Sequence, residues 1–104
     1  MGRISTSTIL NSYSTGKVVS TSSYRGGLVG YTYSSSTVTD SFYDSTTSGQ
    51  SDIGKGKDKT TAEMKTLATF TDNSSADLSR PWDFYSTWKI DSSGTINDGY
   101  PYLK

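Results

Sequence analysis

Nine Asp and one Glu are the side chains of this 104-residue sequence best placed to do chemistry, because it contains neither His nor Cys. Hydrolysis of a glycosidic bond needs two carboxyls about 5 to 9.5 Å apart across a cleft. Asp40 and Asp44, in TDSFYD, could approach one another at a strand end. The competing reading is that an Asp among Ser and Gly bonds its own backbone in a turn. No second catalytic signal accompanies the pair. Lack of His removes the usual general base near neutral pH and the commonest metal ligand. Lack of Cys removes disulfides, thiolate metal sites and a cysteine nucleophile. The expectation is a protein that is not an enzyme.

Other groupings meet the same test. DSSGTIND offers Asp91, Asn97 and Asp98 as oxygen ligands of a kind that suits calcium. The spacing departs from an EF-hand, and a loop bending at Gly94 accounts for the same residues. GQSDIGKG sets Gly49, Gly54 and Lys55 at phosphate-loop spacing, but Gly56 stands where a magnesium-holding hydroxyl belongs and no apolar strand precedes it. Neither metal nor cofactor is expected. Tyr31, Tyr33 and Tyr43 are candidates for surface recognition, since tyrosine rings stack on sugars and dominate protein hot spots. That face would meet a host or cell-surface protein or a glycan. Trp82, Phe84, Trp88, Ile90, Tyr102 and Leu103 are assigned to the interior, because Leu, Ile, Val and Phe together number only 17.

Charge narrows the partners. Ten basic and ten acidic residues cancel, and the only basic cluster, Lys55, Lys57 and Lys59, is diluted by Asp52 and Asp58. With no basic stripe, neither nucleic acid nor an anionic membrane surface is an expected partner. No apolar run of about 18 residues is present, so membrane insertion is not expected. No secretory signal is visible, and MGR reads as a start added to a fragment. MGRIST also fits the N-myristoylation pattern through Gly2 and Thr6, a pattern most of whose positions are free.

The elements that would carry these residues are mostly strands. Ser and Thr make up about a third of the chain, and Thr and Tyr favour pleated surfaces. TILNSYSTG (8–16) and TVTDSFYDS (37–45) echo one another without gaps, at an offset of 29 residues. Such a period marks a repeat in which each unit covers the apolar face of the next. Asn11 and Asp40, at equivalent places between apolar residues, suggest corners or a hydrogen-bonded stack. KVVS and GGLVGYTY are short strand candidates. In the block Gly26, Gly27, Leu28, Val29, Gly30, the glycines would allow positive φ or close backbone approach, and one of the two aliphatics can point inward. SGQSDIGKGKDK (48–59) reads as an exposed loop. TTAEMKTLATF predicts one short helix over about 60–69, with a capping box at Thr60 and Glu63 and an apolar face of Met64, Leu67 and Ala68. WKID and GYPYL predict strands around SSGTIND. The expected fold is mainly β, a solenoid-like stack of short strands (1–48) closed by a small α+β C-terminal cap (49–104), together one domain.

These motifs resemble a known family. GGLVG, preceded by NSYSTGKV and followed by TVTDSFYDSTTSG, is similar to the GLUG-motif repeats of bacterial surface proteins, and TTAEMKTLATF, WDFYSTWKI and DGYPYL resemble the segment that closes such arrays. The resemblance covers about residues 8–103. It implies a non-catalytic structural or adhesive module of an exported, cell-surface protein. One GGLVG block stands here where the family strings several, which implies an excised end with further repeats upstream. The alternative is a carbohydrate-binding module attached to a surface enzyme.

Overall fold

Segments 29 residues apart lie side by side. The computed structural model describes residues 2–33, 35–52, 55–74 and 76–104. Its first segment carries β1 (Arg3–Ile4), β2 (Thr8–Leu10) and β3 (Tyr13–Ser14), and its second carries β4 (Tyr31–Thr32), β5 (Thr37–Thr39) and β6 (Phe42–Asp44). They pair in parallel as β1 with β4, β2 with β5 and β3 with β6. Thr8 lies opposite Thr37, Ile9 opposite Val38 and Tyr13 opposite Phe42, the register of the echo. Equivalent residues then meet: the Thr37 hydroxyl donates to Thr8 Oγ1 at 3.1 Å, and the Ser12 backbone amide donates to the Ser41 side-chain Oγ at 3.2 Å.

The echoed Asn and Asp are the corners. Asn11 (φ 48°) and Asp40 (φ 49°) both adopt the left-handed conformation, which Asn and Asp tolerate better than other side chains. Each ends one strand before the next begins, so Ile9 and Tyr13 do not share a continuous strand.

The remaining elements wrap this pair of segments. They are α1 (Ser45–Ser48), β7 (Lys57–Lys59), α2 (Thr61–Met64), α3 (Leu67–Thr71), β8 (Trp88–Lys89), a 3-10 turn at Asn97–Gly99, and β9 (Tyr102–Leu103). β7 adds in parallel to β6, and β8 pairs antiparallel with β9.

This architecture corrects the mainly β, solenoid-like expectation. Among the described residues, strands make up only 22%, each two or three residues long, in four small and separate sheets beside three short helices. Left-handed corners interrupt the strands too often for long rungs. Other boundaries move as well. The 60–69 helix is two helices, because after Met64 the chain leaves helical geometry at Lys65 and Thr66. Met64 and Phe70 are its buried residues, whereas Leu67 and Ala68 face outward. The capping box forms as expected: Thr60 Oγ1 accepts the Glu63 amide and Glu63 Oε1 accepts the Thr60 amide. KVVS forms no strand, and the expected 48–59 loop contains β7.

β6 is the hub because both of its faces are covered, and all three of its residues are buried. Phe42 points into a core of Met64, Phe70, Leu78, Trp82 and Tyr100. Tyr43, one residue on, points the other way, into a cluster of Ile4, Leu28 and Val29. Leu28 and Val29 are thus both interior. Close approach explains the block around them. A Cβ on Gly27 would lie 2.0 Å from the Tyr43 ring, and one on Gly30 would lie 2.3 Å from the Gly2 carbonyl oxygen.

Candidate functional site

The two carboxylates singled out for acid–base work bind the C-terminal half to the repeat. Asp44 caps α1, its Oδ1 accepting the amides of Thr46 (2.9 Å) and Thr47 (3.0 Å). Its Oδ2 accepts the hydroxyls of Thr61 and Tyr100, each at 2.7 Å. Burial pushes this carboxyl up, but the combined donors, Tyr100 foremost, outweigh it and hold the group below the usual carboxylate range. Burial and the bond to Asp44 push the Tyr100 phenol up to about 12. A buried carboxylate with four donors is a stable anion, suited to holding segments together and ill suited to exchanging a proton near neutral pH.

Asp40 turns elsewhere. Its oxygens accept the Ser79 amide at 2.6 Å, the Ser79 hydroxyl at 2.8 Å and the Arg80 amide at 3.3 Å, while its backbone carbonyl accepts the Trp82 indole N–H at 2.9 Å. The corner that the left-handed backbone creates is also the anchor for Trp82. Asp40 and Asp44 therefore engage different segments.

The calcium-type loop closes on itself. Asp91 accepts the amides of Ser93, Thr95 and Ile96 and the hydroxyls of Ser93 and Thr95, donors that hold its carboxyl far below the usual range. Asn97 Nδ2 instead donates to the Tyr13 hydroxyl (3.0 Å) and the Pro101 carbonyl (2.9 Å), and Asp98 lies 3.4 Å from Lys65 Nζ. The three candidate ligands do not converge, and among the described residues no group of three or more His, Cys, Asp or Glu could hold a metal ion. Of the phosphate-loop residues, Gly54 lies outside the described residues. Lys55 Nζ donates to the carbonyls of Arg25 and Gly30 at 2.9 Å each, which staples the two ends of the glycine block.

The tyrosine face is redrawn. Tyr43 is fully buried; its hydroxyl donates to the Asp52 carbonyl at 2.9 Å, and burial, with the Asp52 and Asp58 charges, pushes its phenol up. Tyr31 and Tyr33 remain at the surface and are joined by Tyr24, which sequence reasoning missed. Tyr24 and Tyr31 ring centroids lie 4.8 Å apart, and Tyr31 and Tyr33 5.1 Å apart, both edge to face. Arg3 stands beside them, donating from Nη1 to the Tyr33 hydroxyl at 3.2 Å. Carrying the 29-residue offset back past Thr8 would have placed Arg3 next to Thr32; the observed partner is Tyr31.

Of the expected interior residues, Trp82 is fully enclosed, Phe84, Trp88 and Ile90 pack partly buried against the core, and Tyr102 is half-buried. Leu103 is corrected: it is exposed, since β9 is paired on one edge with β8 alone and presents this side chain outward. Tyr13, Phe42, Phe70 and Tyr100 take the places that sequence reasoning left open, Tyr13 stacking near Trp82, Trp88 and Tyr100 and donating its hydroxyl to the Pro101 carbonyl.

Comparison with known proteins adds one relative. No family model matches the chain, and no solved structure matches it. Over 96 residues it is 44% identical to a protein of Evansella cellulosilytica named "Putative Gly-rich membrane protein", a match covering 88% of this chain and 10% of that protein. The chain thus spans about a tenth of the length of that relative. No helix among the described residues is long and apolar enough to cross a membrane.

Proposed function

We propose that this chain is a non-catalytic structural or adhesive module of an exported bacterial cell-surface protein, of the GLUG type that its glycine block and aromatic tail resemble. The observation that carries this reading is the in-register parallel pairing of the two echoed segments, which leaves β1, β2 and β3 each at the outer edge of its sheet. An open strand edge invites pairing with another segment. In this reading the occupant is the preceding stretch of the parent polypeptide, another copy of the same repeat. The match to a tenth of a much longer Gly-rich protein supports such a setting. The carboxylates support it too, since Asp40 and Asp44 serve as tie points between segments.

The test joins the chain to the 30 or so residues that precede it in its parent protein, about one repeat period. The expected result is slowed amide exchange along residues 2–14 and a higher melting temperature than the chain alone. Unchanged exchange and melting would overturn the docking role. Surface labelling of intact cells of the source organism checks location: protection of the module from external protease would overturn the cell-surface assignment.

A further inference from the structure

The row Tyr24, Tyr31, Tyr33, in which a half-buried Tyr31 stands between two exposed rings with Arg3 beside it, brings together aromatic surface, hydroxyls and a cation with no carboxylate partner among the described residues. The ring planes cross at 71° and 81°. In such edge-to-face pairs the ring that offers its edge keeps its own faces free of that partner. Consistent with this, Tyr24 is 65% and Tyr33 45% exposed. Two clefts flank the row: one of about 390 Å³ lined by Gly2, Arg3, Tyr24 and Tyr31, the other of about 540 Å³ lined by Arg3, Ile4, Ser5 and Tyr33. Both fall within the size range of small-ligand sites. Arg3 borders each cleft. Its guanidinium is steadied by the Tyr33 hydroxyl and forms no ion pair with a carboxylate among the described residues.

We propose that this face binds carboxylated pyranoses, the uronic-acid type of unit in an acidic polysaccharide. The C–H face of a pyranose ring lies against a tyrosine face, the tyrosine hydroxyls meet ring hydroxyls, and the remaining Arg3 donors form a fork for the carboxylate. Charge complementarity selects an acidic sugar over a neutral one, which would leave the guanidinium to water. An acidic peptide would satisfy Arg3 but brings no rigid C–H face to lay on the rings. The inference goes beyond the structural role above, which stands or falls separately.

The experiment titrates the full chain with an oligogalacturonate, its methyl ester and a poly-glutamate of matched charge, read by NMR shifts. The oligogalacturonate is expected to bind with a Kd between about 10 μM and 1 mM. Esterification and Arg3→Gln should each weaken binding at least about tenfold, the loss of a charge-assisted bidentate contact. Tyr24→Ala should weaken it roughly fivefold through the lost ring face, while Tyr85→Ala, at a 92% exposed position, should leave it unchanged. Melting curves of each variant confirm that these exposed substitutions leave the fold intact. Absence of a saturable shift up to about 5 mM ligand, weaker than any useful recognition, would overturn the proposal. So would equal binding of the methyl ester, equal binding of poly-glutamate, or indifference to Tyr24→Ala.

Discussion

At the scale of single residues, left-handed backbone is where sequence and geometry agree most closely. Five described residues other than glycine have positive φ, and four of them are Asn or Asp: Asn11, Asp40, Asn97 and Asp98. Thr6 (φ 53°) is the exception, a β-branched residue where branching is most costly. Its side chain is exposed and accepts one long hydrogen bond, 3.4 Å from the Ser35 hydroxyl. Thr6→Asn should therefore stabilise the fold by about 0.5–1 kcal/mol, the relief of left-handed strain less a weak contact. A urea midpoint shifted upward with an unchanged slope would verify this; a downward shift would show that the Thr6 hydroxyl matters more than its backbone. Asn11 and Asp40 were legible as corners from their matched places in the echo. Burial of Tyr43 was not, because Phe42 and Asp44 on either side of it, with Ser and Thr beyond, give no apolar alternation from which to tell inside from outside.

At the scale of elements, the short helices depend on their ends more than on their middles. A helix of four residues has too few internal bonds to sustain itself, so α2 relies on its capping box and on Met64. Thr60→Ala should cost about 1 kcal/mol, a typical value for losing an N-cap oxygen. Denaturant unfolding checks the magnitude, and loss of amide protection at Glu63 checks the cause. The capping box could be read from Thr60 and Glu63, since it is a local pattern. The break after Met64 could not, because Lys65 and Thr66 both tolerate a helix, while the new direction goes with distant contacts, Phe70 packing on Trp82 with ring centroids 4.8 Å apart and on Phe42 at 5.4 Å. β7 was hidden for a similar reason. Its Lys57-Asp58-Lys59 has poor strand propensity, and it holds its place through pairing with β6 and the ion pairs of both lysines with Asp77, at 3.2 and 2.9 Å.

At the scale of the whole molecule, one hydrogen bond links stability to pH at both ends of the range. The Asp44 carboxyl is held low, so its contribution is present above the ordinary carboxylate range, near pH 4, and is lost as pH falls. The Tyr100 phenol is raised to about 12, so its contribution is present below the ordinary phenol value, near 10, and is lost as pH rises toward 12. Stability should therefore plateau between about pH 5 and 9 and decline on both sides. Asp44→Asn should lower the plateau by about 2 kcal/mol, the loss of charge-assisted bonds to buried donors, and flatten the acid decline. Thermal melts across pH test it; an acid limb equally steep in Asp44→Asn would assign the titration to other carboxylates. Asp44 looked like half of a catalytic pair in the sequence because its partners Thr61 and Tyr100 lie 17 and 56 residues away, beyond the reach of any local pattern.

That long reach has a consequence for how the protein is made. Synthesis delivers residues in order from the N-terminal end, so Tyr13 and Asp44 leave the ribosome well before residues 97–101, Tyr100 lying 56 residues beyond Asp44. Until those last partners arrive, the carboxylate lacks one of its hydroxyl donors and the stacked rings around Trp82 lack Tyr100. The bonds that join the first segments to the last can therefore close only after nearly every residue has been made.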